Sequence, residues 1–597
     1  MSLIDLASLV LAPTATKEGK VYSAIPNTGD GDMTFSRGSA ATRVNSAGLI
    51  EKERTNLALY SEQFDNAAWT KTNTSVTANS VTSPDGTQNA DTITSTAALP
   101  NILSPLAAFA STTNVSIFVK YVSQQWVQLM SGGAVNAYAN FDIQNGVIGT
   151  VGSNASNAQI ENLGNGWYRI SVNLLGFTGN TNLYFGFVAS GTAGWNTFDP
   201  NFNKSLYAWG AQIETGDIAT EYIPTTSSAV SVGITDDVPR VDYSGGGCPS
   251  LLLEGQRSNL VTDSEYFGGY SNFGSADTAN QETSPEGVVN ATLIEGDGSQ
   301  SQIYTATPII TVPSAGDYTL SIFAKKGTEQ YIILYLDGFT GSSNSSAYFD
   351  LYNGTTPTSG ASIEDYGNGW YRCYITATIN VGDLTGRLAF NVTPSTSTVF
   401  YGSAAAADGK NIYTYGAMLE AGDYPTSYIP TYGASSTRSE DESYNSSATF
   451  LEQNQGTLLI EFNRIGESGA SFENAFFISD GTLNNFVNIV LDISASRYKA
   501  QVRSGGSTSG VVTAASAYSG NLKIALAFSS NDLVMYINGD LQGTDTSVTL
   551  PSNTLDRIGL GGYYTASYGD TLRAKYKQAL YFPTRLTNDE LASLTTI

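Results

Sequence analysis

"GNGWYR" occupies residues 164–169 and recurs at 367–372. A six-residue repeat containing Trp167 and Trp370 marks either two active sites or two building blocks. The residues that follow decide between them. In "WYRISVNLL" (167–175), Tyr168, Ile170, Val172 and Leu174 alternate with Trp167, Arg169, Ser171 and Asn173. Successive strand side chains point to opposite faces, so the pattern predicts a half-buried antiparallel strand. Gly164, Asn165 and Gly166 accept positive φ and predict a tight turn before it. The second occurrence puts Tyr371, Cys373 and Ile375 on the apolar face. Trp167 and Trp370 are therefore read as scaffold rather than sugar-stacking platforms, and Cys373 as a small core filler.

Longer repeats surround the hexapeptide. "ERTNLALYSEQF" (53–64) matches "QRSNLVTDSEYF" (256–267), and "VSIFVKYVSQQWVQL" (115–129) matches "LSIFAKKGTEQYIIL" (320–334). "YAWGAQIETGDIATEYIPT" (207–225) matches "YTYGAMLEAGDYPTSYIPT" (413–431). The offset is 370 − 167 = 203 at the tryptophans and 259 − 56 = 203 at the asparagines. A period of that size is a domain, not a solenoid unit. Residues 56–230 and 231–440 each hold one copy of a single fold, its repeated part in the second spanning 259–437. Long helical periodicity is absent, which points to β-sandwiches of the jelly-roll kind.

Residues 445–597 align with neither copy. There, "LKIALAFSSNDLVMYINGDLQG" (522–543) predicts a hairpin, with Asn538-Gly539 as the next tight turn. "LTNDELASL" (586–594) predicts one short helix capped by Thr587 or Asn588. "RSEDESYNSSAT" (438–449) reads as a polar, acidic linker or domain boundary, and residues 1–55 as a separate N-terminal segment. The fold class is thus all-β: two tandem jelly-roll β-sandwiches, then a third β-sandwich.

Composition removes several functions. Lys plus Arg number 28 against 53 Asp plus Glu, a net charge of −25. Such a chain repels a phosphate backbone, so no nucleic acid is expected as partner. With no histidine, Ser-His-Asp catalysis and His-ligated zinc are excluded. A carboxylate-pair glycosidase needs only Asp or Glu. Glu161, Glu214, Glu364 and Glu420 recur between copies, which fits inherited scaffold better than chemistry, and no enzyme is expected. Cys248 and Cys373 leave room for one disulfide. The start "MSLIDLASLVLAP" lacks a basic region before its apolar run, so no signal peptide is expected, and no run reaches membrane-spanning length.

"LLLEGQRSNL" (251–260) and "GAQIETGDIATEYIPT" (210–225), with "MTFSRGSAATRVNSAGLIEKERTNL" (33–57), resemble a module of tailed-bacteriophage tail and fibre proteins. The copies also resemble carbohydrate-binding modules of the jelly-roll type. The third region, through "IALAFSSNDLVMYINGDLQG", "RIGLGG" and "ALYFPTRLTNDELASL", resembles laminin-G and concanavalin-A-like lectin domains. The resemblance implies a virion structural protein, a tail fibre or related appendage binding host surface glycans without catalysis. It implies other virion proteins as partners, a homotrimer, and residues 1–33 as the junction to the particle. A capsid decoration or tail-assembly component is the alternative, and a polysaccharide depolymerase a further one.

Sugar sites combine aromatic faces with amides and carboxylates. Trp126 and Gln128 in copy one, and Tyr331 and Tyr335 in copy two, are the candidates for a concave sheet face. Trp69 is read as packing. The acidic charge favours calcium over other ions. By resemblance to calcium-holding jelly rolls, Asp65 with Gln212 or Glu214 is the matched set in copy one. Copy two departs from it, with Gly268 and Met418 at the equivalent places.

Overall fold

The structure, a computed structural model, describes residues 3–176, 178–244, 246–298, 304–339, 345–394, 408–466, 472–561 and 570–597. Both copies are two-sheet sandwiches. In copy one, a sheet of Val147–Val151, Tyr138–Asp142, Trp126–Ser131, Leu183–Val188, Asn101–Leu103 and Thr70–Thr72 faces a second sheet. That sheet runs Ala155–Gly164, Trp167–Leu175, Thr112–Tyr121, Ser205–Thr215, Ala90–Ser95 and Thr74–Val81. Equivalent strands of copy two take the same order.

The hexapeptide turns are as read. φ is 83°, 50° and 79° at residues 164–166, and 78°, 52° and 79° at 367–369. Ile170, Val172 and Leu174 enter the core with Val127, Leu129, Phe141 and Phe185. Cys373 and Ile375 do the same in copy two. Both cysteines are free thiols, Cys373 inside that core and Cys248 at the surface, so no disulfide joins them. Trp69 is buried edge-on to Phe64, and its Nε1 donates to the Tyr60 carbonyl.

The other face of the hexapeptide strand departs from the half-buried reading, because it is covered as well. Trp167 packs with Phe118, Trp209 and Tyr222. Arg169 donates to the Thr220 carbonyl (2.5 Å) and to Ser116 (3.0 Å). Arg372 repeats this with Thr426 (2.6 Å) and Ser321 (3.0 Å). The "GDIATEYIPT" and "GDYPTSYIPT" tails therefore lie over the outer face of the second sheet. Arg169, Arg372 and Asn173 are accommodated under the tails because each donates to a tail carbonyl, of Thr220, Thr426 and Asp217 respectively.

The third sandwich is not confined to 445–597. One layer pairs Ala574–Phe582, Gln455–Arg464, Asn521–Ser529, Asp532–Ile537 and Asp540–Asp545. The other pairs Glu442–Asn445, Arg557–Leu560, Phe472–Ser479, Phe486–Asp492, Arg497–Ser504 and Ser507–Thr513. Leu458, Ile460, Phe476, Ile489, Leu522, Ile524 and Leu526 fill the core between them. The free edge of Ala574–Phe582 takes Leu9–Lys17 and, further along, Ser250–Leu253. Met33–Ser36 pairs with Glu442–Asn445. Residues 1–55 and the start of 231–440 are thus not separate from the third domain: they contribute strands to it. Leu9, Leu11, Val21, Met33, Phe35, Leu251 and Leu253 lie in its core. The predicted hairpin and helix are present, the latter at Asn588–Thr595 with Thr587 and Glu590 forming a capping box.

The acidic "linker" is also overturned. Glu442–Asn445 is a strand, and Arg438 and Asp441 are each at most 1% exposed. With Arg37, Arg240 and Glu254 they make one buried ionic cluster. Arg37 reaches Asp441 (3.2 Å), Arg240 reaches Glu254 (2.6 Å) and Asp441, and Arg438 reaches Glu254 (3.6 Å). Mutual neutralisation lets these charges leave water. Among the described residues, no helix is long and apolar enough to cross a membrane.

Candidate functional site

The candidate sugar-binding residues lie on the outer face of the first sheet in each copy. Along Trp126–Ser131, Val127 and Leu129 point into the core, so Trp126, Gln128 and Met130 point out. In copy two, Ile332, Leu334 and Leu336 point inward, which leaves Tyr331, Ile333, Tyr335 and Asp337 outside. The two faces have different fates.

In copy one the chain covers its own face. The segment 190–198 lies across it, and Gln128 and Asn140 fix it there through four hydrogen bonds. Gln128 donates from Nε2 to the Gly194 carbonyl (3.0 Å), and its Oε1 accepts from the Asn196 amide (3.2 Å). Asn140 Nδ2 donates to the Gly191 (3.1 Å) and Ala193 (2.7 Å) carbonyls. Glycines make the close approach possible. A Cβ on Gly186 would lie 2.1 Å from the Phe198 ring, and one on Gly191 2.5 Å from the Trp126 ring. Gln128 is fully buried and Trp126 half-buried, so both serve this strap and not an open sugar platform.

Copy two carries a row of aromatic and polar side chains instead. Phe273 and Tyr304 are cross-strand partners with rings stacked at 5.4 Å and 10°. The Arg387 guanidinium lies 5.6 Å from the Tyr304 ring centroid and is paired with Asp337 (3.0 Å). Ile333 is flanked by Asn391 and Tyr348. Phe273 is exposed, while Tyr304, Tyr331, Tyr348 and Arg387 are half-buried. Tyr335 shares the face but is fully buried against Ala306, Ile333 and Ala389, so it supports the row rather than presenting a ring. Phe273, Tyr304 and Arg387 were missed from sequence. For Tyr304 and Arg387 the signal was there, as residues alternating with buried positions in "YTA" and "GRLAFNV"; Phe273 sits on a short strand exposed throughout, which no alternation marks.

The calcium set is divided. Gln212 Nε2 donates to Glu214 (2.9 Å), and Glu214 accepts from the Thr220 amide (2.8 Å) and hydroxyl (2.5 Å). Glu420 does the same for Thr426. These acids cap the tail that covers the sheet. Asp65 is exposed and adds its charge to that of Asp91, whose carboxyl burial pushes up to about 6. Among the described residues no three acid, cysteine or histidine side chains gather closely enough to hold a metal. Glu161 and Glu364 are exposed, opposite Arg169 and Arg372 on neighbouring strands.

A comparison with known protein families finds no match, and none is found among curated proteins. Among solved structures the chain is similar to the Ruminococcus gnavus IT-sialidase CBM40 bound to alpha2,3 sialyllactose. The identity is 19%, over 25% of this chain and 86% of that one, with a TM-score of 0.22. It is similar to the NanB sialidase of Streptococcus pneumoniae at 16% identity, over 24% of each chain, with a TM-score of 0.22. A heptameric SAP-like pentraxin of Limulus polyphemus matches at 13% identity, over 23% of this chain and 68% of that one, with a TM-score of 0.18.

Proposed function

We propose that this protein binds glycans without cleaving them, through the outer face of copy two, and that it does so as a surface appendage of a bacteriophage particle. The observation that carries the binding is the Phe273–Tyr304 stack with Arg387 over it and Asp337 beside it. Aromatic rings take the C–H face of a sugar, and the guanidinium–carboxylate pair offers donors and acceptors to its hydroxyls. The appendage reading rests on the sequence resemblance of the "RSNL" and "GDIATEYIPT" motifs. The strapped face of copy one favours a supporting role for that copy.

A glycan array with purified protein tests the binding. Binding to host-surface polysaccharide that drops at least about fivefold in Tyr304→Ala and Arg387→Ala is expected, since each contact is worth roughly 1 kcal/mol or more. Silence across bacterial glycans, or binding untouched by both changes, refutes it. Mass spectrometry of purified particles tests the appendage reading separately.

A further inference from the structure

Where the two copies meet there is a second candidate site, a cavity of about 350 Å³. That volume falls in the range of small-molecule sites. The strand entering copy one supplies Lys52 and Arg54, copy one itself supplies Asp217, and copy two supplies Glu265, Glu286 and Asn290. We propose that this inter-copy cavity binds a neutral, hydroxyl-rich ring, such as one sugar residue, distinct from the outer face of copy two.

The charges lining the cavity already answer one another. Lys52 Nζ contacts Glu265 (2.7 Å), Glu286 (3.0 Å) and the Tyr432 hydroxyl (2.8 Å), and Arg54 reaches Glu286 (3.4 Å). Tyr415, Tyr428 and Tyr432 also donate to Glu265. Among these groups a charged ligand would find no open counter-charge, and the half-buried Glu53 is the one further carboxylate that the strand entering copy one adds to the lining. Two polar atoms are left without partners: Asp217 Oδ2, on a residue 3% exposed, and Asn290 Oδ1, on a residue 1% exposed. Buried polar atoms without partners are rare and costly, and a hydroxyl group, which both donates and accepts, satisfies either. Burial, with Glu265 nearby, pushes the Asp217 carboxyl up to about 8. Near neutrality it is therefore protonated, and it too asks for no cation. Ile218 and Pro430, half-buried on the lining, offer apolar surface to a ring's C–H groups.

The test uses the full chain with glucose, galactose, N-acetylglucosamine and myo-inositol as separate probes at millimolar concentration. Binding is read by saturation-transfer NMR and by crystals soaked in each probe. The expected result is density for a ring in the cavity. Its NMR signal should fall on the order of tenfold in Asp217→Leu and Asn290→Leu while surviving in Phe273→Ala and in Asp217→Asn, whose amide keeps the donor and acceptor of the protonated carboxyl. Thermal unfolding of each variant confirms that it folds, and Asn290→Ala, the smaller change, decides if a leucine variant does not. Ordered waters only in the cavity, with no probe sensitive to Asp217→Leu or to Asn290→Ala, overturn the proposal. So does binding that Phe273→Ala alone abolishes, an outcome that leaves the outer-face reading standing.

Discussion

Asn56 and Asn259 show what the repeated "TNL" and "SNL" encode. Asn56 Nδ2 donates to the Ala211 and Ile223 carbonyls, and its Oδ1 accepts from the Ala58 and Ile213 amides. Asn259 makes the same four bonds with Ala417, Ile429, Val261 and Leu419. Each is a fully buried clamp on its domain's closing strand. Asn259→Ala leaves two carbonyls and two amides short of a partner. It should cost about 3 kcal/mol, read as a lower midpoint in urea. The repeat marked these positions as significant. Their role was hidden because three of the four partners of each lie 155 to 170 residues away. Asp217 was wholly invisible from sequence, since only folding buries it. Its carboxyl is held protonated up to about 8, against an ordinary value of 3.8. The native state thus keeps a proton that the unfolded chain gives up. That stability is complete below the ordinary value and is lost as pH rises through about 8. Between about pH 4 and 8 the wild type should lose melting temperature that Asp217→Asn keeps.

At the scale of elements, the strand pattern was legible because core positions alternate strictly, as in Ile170, Val172 and Leu174. The straps over the outer faces were not. Segment 190–198 and the 217–223 tail are held by amides, carbonyls and small residues, and a polar sequence looks the same wet or buried. Gly186 is the point on which the copy-one strap turns, for Phe198 sits where a side chain would be. Gly186→Leu should expel the strap while leaving the sandwich core intact. The measurement is limited proteolysis, with new cleavage within 190–198 and little change in far-ultraviolet circular dichroism. Unchanged resistance would show that the strap does not depend on that contact. The hexapeptide turn is as sensitive: Gly369 has φ 79°, so Gly369→Val should cost about 1–2 kcal/mol.

At the scale of the whole molecule, the ionic cluster ties the N-terminal segment, the connection after copy one and the exit from copy two into one unit. Asp441 joins Arg37 and Arg240, and Arg438 lies 3.9 Å from it. Asp441→Ala leaves buried guanidinium groups without their carboxylate. A loss of about 3–5 kcal/mol is expected, together with a drop in thermal midpoint. Burial pushes the Glu254 carboxyl up, but Arg438 and Arg240 outweigh it and hold the group well below its ordinary range. Its contribution is present above that range and is lost as pH falls, so acid should melt this junction early. The junction is disguised as a linker because opposite charges that cancel in space look like solvated charges in a string. Leu9–Lys17 carries a further consequence, since its partner is Ala574–Phe582. A ribosome adding about 5–20 residues per second needs roughly half a minute to two minutes between the two strands. The earlier strand must wait, unsatisfied, for the later one. The twin sandwiches have time to close in the interval, but the third cannot, and a nascent chain released before residue 574 has no way to finish it. Synthesis itself thereby sorts complete chains from broken ones.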